Sequence, residues 1–321
     1  MSSLYHQKQI HSKLTTVISE ESVSHTCYRN ALLYWSKDNI AMKKILVPCD
    51  FSKPAISAFR YALDIAARSK GSVYLLNVVQ LPVLYDTALM PVLNFEQEAL
   101  EDLKGKVDKS FAKLIQKYNK NGVHVVAQVV FGAASREITE FTRARKIDLI
   151  IMGSHGASGA REAFIGSNAE KIVRHSLVPV LVVKDYSKAR IRNIVFSHTI
   201  DPKRQDQLIQ KVKALQDFYK AHLHIVWINT PLNFVTDTET LKTLREFAKQ
   251  YKFRDYSLHI FNHLDEETGI LEFTSSIGGD LIALGTHGRK GINHLINGSI
   301  AEGLVNHSRG LVWTYSMKNT K

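Results

Sequence analysis

The sequence predicts an α/β protein built as two tandem open-sheet parallel α/β sandwich domains. Three observations carry that expectation. From Met42 onward, short aliphatic and β-branched runs alternate with longer segments of helical period, the pattern of a parallel sheet covered by helices. The order of these elements repeats once along the chain. A glycine-rich loop recurs in each half at identical spacing.

In the first half, strands are expected at 44–49, 72–79, 123–130, 148–152 and 179–183, with helices between them. Ser52, with Pro54 just inside, marks a helix start; Ile56, Phe59, Leu63 and Ala66 then recur on one face before a stop at Gly71. The second half repeats the order, with strands at 192–197, 222–228, 255–261, 280–284 and 310–315. Aligning Ile45-Leu46-Val47 with Ile194-Val195-Phe196 gives an offset of 149, which also sets Ser72 to Pro82 on Ala221 to Pro231. At the glycine loop the offset has become 132, so the second copy lacks 17 residues between its second and fourth strands. The boundaries that follow are 42–185 for the first domain, 186–191 for a linker too short for free tumbling, 192–316 for the second domain and 317–321 for a tail. Residues 1–41 are polar and weakly periodic; they read as a flexible extension or as the product of an upstream start codon.

Composition narrows the function classes. The chain has 321 residues, 45% of them hydrophobic, enough for two ordinary cores. Its two cysteines, Cys27 and Cys49, do not make a secreted disulfide framework, since Cys49 falls in an apolar strand; a reducing cytoplasm is expected. The longest apolar runs, Asp148 to Met152 and Val178 to Val183, are far below the roughly 20 residues of a membrane helix, and no export signal is evident. The net charge of +12 raises nucleic acid as a partner. The cations are scattered among acids, however, as at Lys104, Lys106, Lys109, Lys113, Lys117 and Lys120, which reads as a solvated helix face rather than a basic arm. No nucleic-acid or membrane partner is expected.

The recurring loop is Gly153-Ser154-His155-Gly156, nine residues, Gly166-Ser167, matched by Gly285, His287, Gly288, Gly298 and Ser299. The first copy follows the apolar strand Leu149-Ile150-Ile151-Met152 and leads into a helix near Asn168, the place where open parallel sheets bind ligands. Glycines admit an anion close to backbone, and a helix start offers free N–H groups and a positive dipole end. Against this stands a purely structural alternative. Ser167 to Glu170 and Ser299 to Glu302 each fit a capping box, in which the serine and glutamate only satisfy backbone donors. His155 and His287 are candidate phosphate contacts. No Gly-Lys-Ser or Gly-Lys-Thr is present, so phosphoryl transfer of the P-loop type is not encoded.

Together with Val47-Pro48-Cys49-Asp50-Phe51-Ser52, this loop resembles the universal stress protein family in tandem form, over residues 43–316. The resemblance implies five-stranded domains of the adenine nucleotide alpha hydrolase-like fold, strand order 3-2-1-4-5, in which the last strands of the two copies pair across a pseudo-two-fold axis as a pseudo-dimer. It implies an ATP (or ADP or AMP) site, with magnesium as an accompanying ion. Asp50 would hold the ribose and adenine edge beside Pro48 and Cys49, and the backbone of Val78 would meet the adenine. Met152, Gly153, Ser154, His155, Gly156, Gly166, Ser167 and Asn168 would line ribose and phosphates.

In the second copy the offset of 149 puts Thr199 in place of Asp50, with Asp201 nearby, and Trp227 in place of Val78, so nucleotide is expected in the first domain. His222 and His224 alternate onto one strand face and read as half-buried strand residues, not metal ligands. The function expected is a nucleotide-binding regulator or sensor of the stress response with an unknown regulatory protein partner. A homodimer is left open. The alternatives are a slow ATPase or self-phosphorylating enzyme, for which no catalytic residue is legible, and a nucleotide-free interaction scaffold.

Overall fold

The computed structural model describes residues 42–80, 93–156, 165–197, 205–287 and 294–317. The expectations for residues 1–41, Thr199, Asp201, Gly288 and 318–321 lie outside them. In the first half the order is β1 (Lys44–Pro48), α1 (Lys53–Ser69), β2 (Ser72–Val79), α2 (Leu93–Tyr118), β3 (His124–Phe131), α3 (Ala134–Arg145), β4 (Leu149–Gly153), α4 (Ser167–His175) and β5 (Val180–Val183). The second half follows with β6 (Asn193–Ser197), α5 (Asp206–Tyr219), β7 (His222–Asn229), α6 (Asp237–Tyr251), β8 (Tyr256–Asn262), α7 (Glu266–Ser276), β9 (Leu281–His287), α8 (His294–His307) and β10 (Leu311–Met317). The strand bounds agree with the sequence reading to within three residues.

The local causes are visible in α1. Ser52 caps it by accepting from the Ala55 N–H, and Pro54 stands where an N–H would go unpaired. The helix ends on Lys70 in the left-handed region (φ 54°), one residue before the expected Gly71 stop. Phe59, Leu63 and Ala66 are buried, and so are Ala55, Ala58, Ala62 and Ile65, because α1 lies on the sheet with small residues along its inner side. On α2, by contrast, Lys104, Lys106, Lys109, Lys113 and Lys117 are all exposed while Phe111 and Leu114 turn inward.

All ten strands join one sheet in the order β3-β2-β1-β4-β5-β10-β9-β6-β7-β8. Each half is parallel with the order 3-2-1-4-5. The single antiparallel junction is β5 with β10, where Val182 faces Val312, Leu181 faces Trp313 and Val180 faces Thr314. That is the pairing of last strands the resemblance implies, and it removes two apolar edges at once. Two buried clusters cover the two faces of the sheet, and each draws residues from both halves. The connecting segment is strapped to α1: the Tyr186 hydroxyl donates to Asp64 Oδ2 (2.6 Å), the Ser187 N–H donates to the Tyr61 hydroxyl (3.1 Å), and the Arg60 guanidinium lies 3.7 Å from the Tyr186 ring centroid.

The repeat extends to hydrogen bonds. Asp148 Oδ2 accepts the N–H groups of Lys43 and Lys44, and Asp280 Oδ2 accepts those of Arg192 and Asn193, so the same aspartate ties the start of the fourth strand to the first in each half. Strand register corrects the alignment of the second strands. Pro48 pairs with Leu76 and Ser197 pairs with Val226, an offset of 149 on β1 and β6 but 150 on β2 and β7. The extra residue enters between Ser197 and Lys220, the left-handed cap equivalent to Lys70. Ile228, not Trp227, therefore stands in the place of Val78, and Trp227 stands in the place of Asn77. A slip of one residue moves a side chain to the other face of a strand.

The shortening is likewise local. Val73 pairs with Val125, 52 residues on, whereas Leu223 pairs with Tyr256, 33 residues on. Register thus puts 19 missing residues between the second and third strands, where α2 is 26 residues long and α6 is 15, and the offset of 132 at Asp148 and Asp280 shows one residue regained before the fourth strand, so the 17 counted from the sequence becomes 18.

Candidate functional site

The carboxyl ends of β1, β2 and β4 converge where the glycine loop leaves the sheet. β1 stops at Pro48, while β2 runs three residues beyond the Leu76 that pairs with it. The Cys49 N–H still donates to Leu76 O (2.9 Å), and on the opposite edge Val79 O accepts from the Gly132 N–H (3.0 Å). Backbone groups of alternate residues point to the same edge of a strand, so the N–H and C=O of Val78 point the way Leu76's do, into the space where β1 has ended.

Asp50 enters that space from a tight turn. Phe51 sits at φ 66°, rare for a bulky residue, and the Ser52 N–H donates to Asp50 Oδ1 (3.0 Å). The turn is tethered from β2, since Asn77 Nδ2 donates to Cys49 O (2.8 Å). Asp50 Oδ2 then faces Gly156 so closely that a Cβ there would lie 2.5 Å from it. The strand-end carboxylate and the glycine loop, about a hundred residues apart in sequence, are one site in space.

The three described loop glycines have different causes. Gly153 packs against α1: a Cβ would meet Pro54 Cβ at 2.7 Å and the Ala55 nitrogen at 2.9 Å. Gly156 makes room for Asp50. Gly166 meets nothing tighter than 3.5 Å, and its φ of −65° is open to any residue, so the fold itself does not require glycine there. It is the N-cap of α4, with Ser167 as the first helical residue and no side-chain cap. The capping-box alternative therefore fails in the first copy: Ser167 stands one position too late to cap. The loop's return is held by the Gly166 N–H, which donates to Ser154 O (2.8 Å), while the Ser154 N–H donates to Val183 O (2.9 Å).

The remaining candidates divide by face. Pro48 is half-buried beside Leu76. Cys49 and Met152 send their side chains into the two buried clusters, so only their main chains border the crevice. Burial pushes the Cys49 thiol up to about 12, which makes it a packing residue and not a nucleophile. Ser154 is buried, with its hydroxyl 3.0 Å from Nδ1 of half-buried His155. Ser167 is exposed and Asn168 half-buried at the start of α4.

The second copy diverges. α8 begins at His294, so Gly298 and Ser299 lie inside the helix instead of opening it, and N–H groups at that depth are spent on the helical ladder. Gly285 and His287 lie on β9, which runs on to His287 and pairs there with Met317 of β10. The tether is also absent: Trp227, in Asn77's place, packs against the cluster on its face of the sheet, and its indole nitrogen is buried with no partner among the described residues. The signal for Asn77 was present in the sequence, as one amide within the apolar run Leu75-Leu76-Asn77-Val78-Val79.

His222 and His224 do share a face of β7, and β8 adds His259 and Ser257. Ser257 Oγ lies 3.0 Å from His222 Nε2, 3.1 Å from His224 Nδ1 and 2.7 Å from His259 Nε2. With all rings neutral, one proton order satisfies the cluster. His222 Nδ1 donates to Asp255 Oδ1 (2.7 Å), the serine donates to His222 Nε2, His259 Nε2 donates between the serine oxygen and His224 Nδ1 (3.2 Å), and His224 Nε2 donates to Asn193 Oδ1 (3.3 Å). Burial and the neighbouring His222 and His259 lower His224 from 6.5 to about 4, and burial followed by His222 lowers His259. The unfolded chain thus takes up protons first, so this contribution to stability is full above pH 6.5 and is lost as pH falls towards 4. A His224→Asn variant is expected to show a flatter fall in melting temperature over that window than the parent chain; identical slopes would mean that the cluster does not govern it. Among the described residues no group of three or more His, Cys, Asp or Glu side chains is arranged to hold a metal ion, and no helix is long and apolar enough to cross a membrane.

Comparison with known proteins agrees with this architecture. The model of the universal stress protein family matches residues 42–184 and again 198–315. Universal stress protein MJ0531 of Methanocaldococcus jannaschii is 31% identical over 146 residues, covering 46% of this chain and 84% of that protein. MJ0577 of the same organism is 28% identical over 157 residues, covering 46% of this chain and 97% of that protein. Among solved structures, a universal stress protein from Archaeoglobus fulgidus superposes with a TM-score of 0.68 at 20% identity, over 85% of this chain and 98% of that one.

Proposed function

Because the chain belongs to the universal stress protein family, we propose that it is a cytoplasmic adenine-nucleotide-binding regulator whose site lies in its first half and whose occupancy a partner protein reads. The observation that carries this reading is the convergence of Asp50 on Gly156 beside a helix start capped by Gly166, a glycine that the fold does not need. A ligand brought close to that backbone supplies the missing reason.

The residues suit ATP by chemistry. Asp50 is a charged acceptor for ribose hydroxyls, and the Val78 main chain offers a donor and an acceptor to an adenine edge. The N-terminus of α4 favours phosphate through the first-turn N–H groups of Ser167 and Asn168, which the helical ladder does not use, and through the helix dipole, whereas the Gly166 N–H is already given to Ser154 O. The second half, with Gly298 and Ser299 inside a helix and no asparagine tether, serves the shared sheet rather than a second equal site.

Two measurements test the proposal. Heating the purified protein and chromatographing what it releases is expected to yield ATP or AMP. Gly166→Ala is expected to keep the melting temperature of the parent chain, since a Cβ meets only ordinary contacts there, while weakening ATP binding about tenfold or more, at least 1.4 kcal/mol. Undiminished binding by that variant would sink the assignment of α4 as the phosphate site.

A further inference from the structure

We propose that Asn306, on α8 of the second half, positions the phosphate loop of the first half, so that the site is completed across the pseudo-two-fold axis. The inference rests on the nucleotide reading above. Asn306 Oδ1 accepts the N–H of Ile165, the residue immediately before the Gly166 cap of α4. Asn306 is itself held, because Lys184, directly after β5, donates from Nζ to its backbone carbonyl. The loop's return is therefore pinned at two successive residues: Gly166 by Ser154 within its own half, and Ile165 by Asn306 from the other.

The rest of α4 is gripped from the same side. Thr286 Oγ1 donates to Val173 O (3.4 Å), Ser316 Oγ donates to Arg174 O (3.2 Å), and the Arg174 side chain pairs with Glu302 of α8. Pseudo-symmetry makes the asymmetry legible. At the offset of 132, Lys184 corresponds to Ser316 and Asn306 to Arg174, and in each half this side chain, directly after β5 in the first and near the end of β10 in the second, bonds the corresponding backbone carbonyl of the other half. Only one of the pair can go further. The asparagine amide has an oxygen that accepts a backbone N–H, whereas a guanidinium has donors alone. Among the described residues, support of this kind runs from the second half to the first loop.

The test uses the full chain with Asn306→Leu, which keeps the size and removes the acceptor, and Asn306→Asp, which restores an acceptor. Two readouts are needed: amide hydrogen exchange of the 165–170 segment without ligand, and ATP affinity. Asn306→Leu is expected to speed exchange at Ile165 and to weaken ATP binding about fivefold, the effect of one lost hydrogen bond, with the melting transition of the rest of the chain in place. Asn306→Asp is expected to return exchange to the parent rate. Unchanged exchange and unchanged affinity in Asn306→Leu would overturn the proposal. If the parent chain binds no ATP, the nucleotide reading fails, and faster exchange in Asn306→Leu with rescue by Asn306→Asp still supports the positioning role.

Discussion

Asp50→Ala is expected to abolish most ATP binding while leaving the fold intact. Asp50 is exposed at the crevice, so its removal opens no cavity, and the hydrogen bond it accepts from the Ser52 N–H, one of its contacts, is local to the turn. Its expected value to the ligand is far greater. A carboxylate accepting two hydroxyl hydrogen bonds contributes about 1.5–3 kcal/mol for each, and their joint loss corresponds to a weakening of about a hundredfold or more. The measurement is a titration of ATP by calorimetry beside a thermal melt. Asp50→Asn separates charge from shape, since an amide keeps one acceptor oxygen, and should fall between parent and alanine. A dissociation constant within threefold of the parent for the alanine variant would remove Asp50 from the site, and with it the link between the turn after β1 and the glycine loop.

The largest expected effect on stability lies at the junction of the halves. Trp313 is 1% exposed on β10, opposite Leu181 of β5, and belongs to a cluster that includes Ile45 and Phe59 from one half and Phe196 and Leu208 from the other. Truncating such a side chain removes its transfer free energy and leaves a cavity that close-packed neighbours refill only in part, so Trp313→Ala is expected to cost about 3–5 kcal/mol. Trp313→Phe should cost much less. Its indole nitrogen is buried without a partner among the described residues, and deleting an unsatisfied donor recovers part of what the lost ring area forfeits. Denaturant unfolding of the three proteins distinguishes the cases. Because both clusters draw on both halves, a single transition is expected for the parent; two well-separated transitions would show that β5 and β10 meet without sharing a core.

The histidine cluster illustrates how sequence and structure divide the work. The alternation of His222 and His224 was evident, but the ring that shares their serine, His259, comes from the neighbouring strand, and only strand pairing sets it there. Trp227 shows the same limit with more consequence. Counting from the first strand put it beside the adenine position, and one extra residue before Lys220 moved it to the opposite face. A count of residues has no access to where within a turn or helix an insertion is absorbed; hydrogen-bond register does, because each bond commits a pair.

By itself the sequence determined the fold class, the duplication, the succession of strands along the chain and the glycine loop that follows the fourth strand. These rest on local periodicity and on short motifs, both properties of neighbouring residues. Tertiary structure alone decided that Asp50 and Gly156 touch, that Gly166 has no packing reason to be glycine, that Gly298 is inside its helix, and that Asn306 reaches Ile165 across 141 positions. Contacts of that separation are set by how two sheets' worth of apolar surface come together across one strand pair, a balance of packing over the whole chain that no window of residues contains.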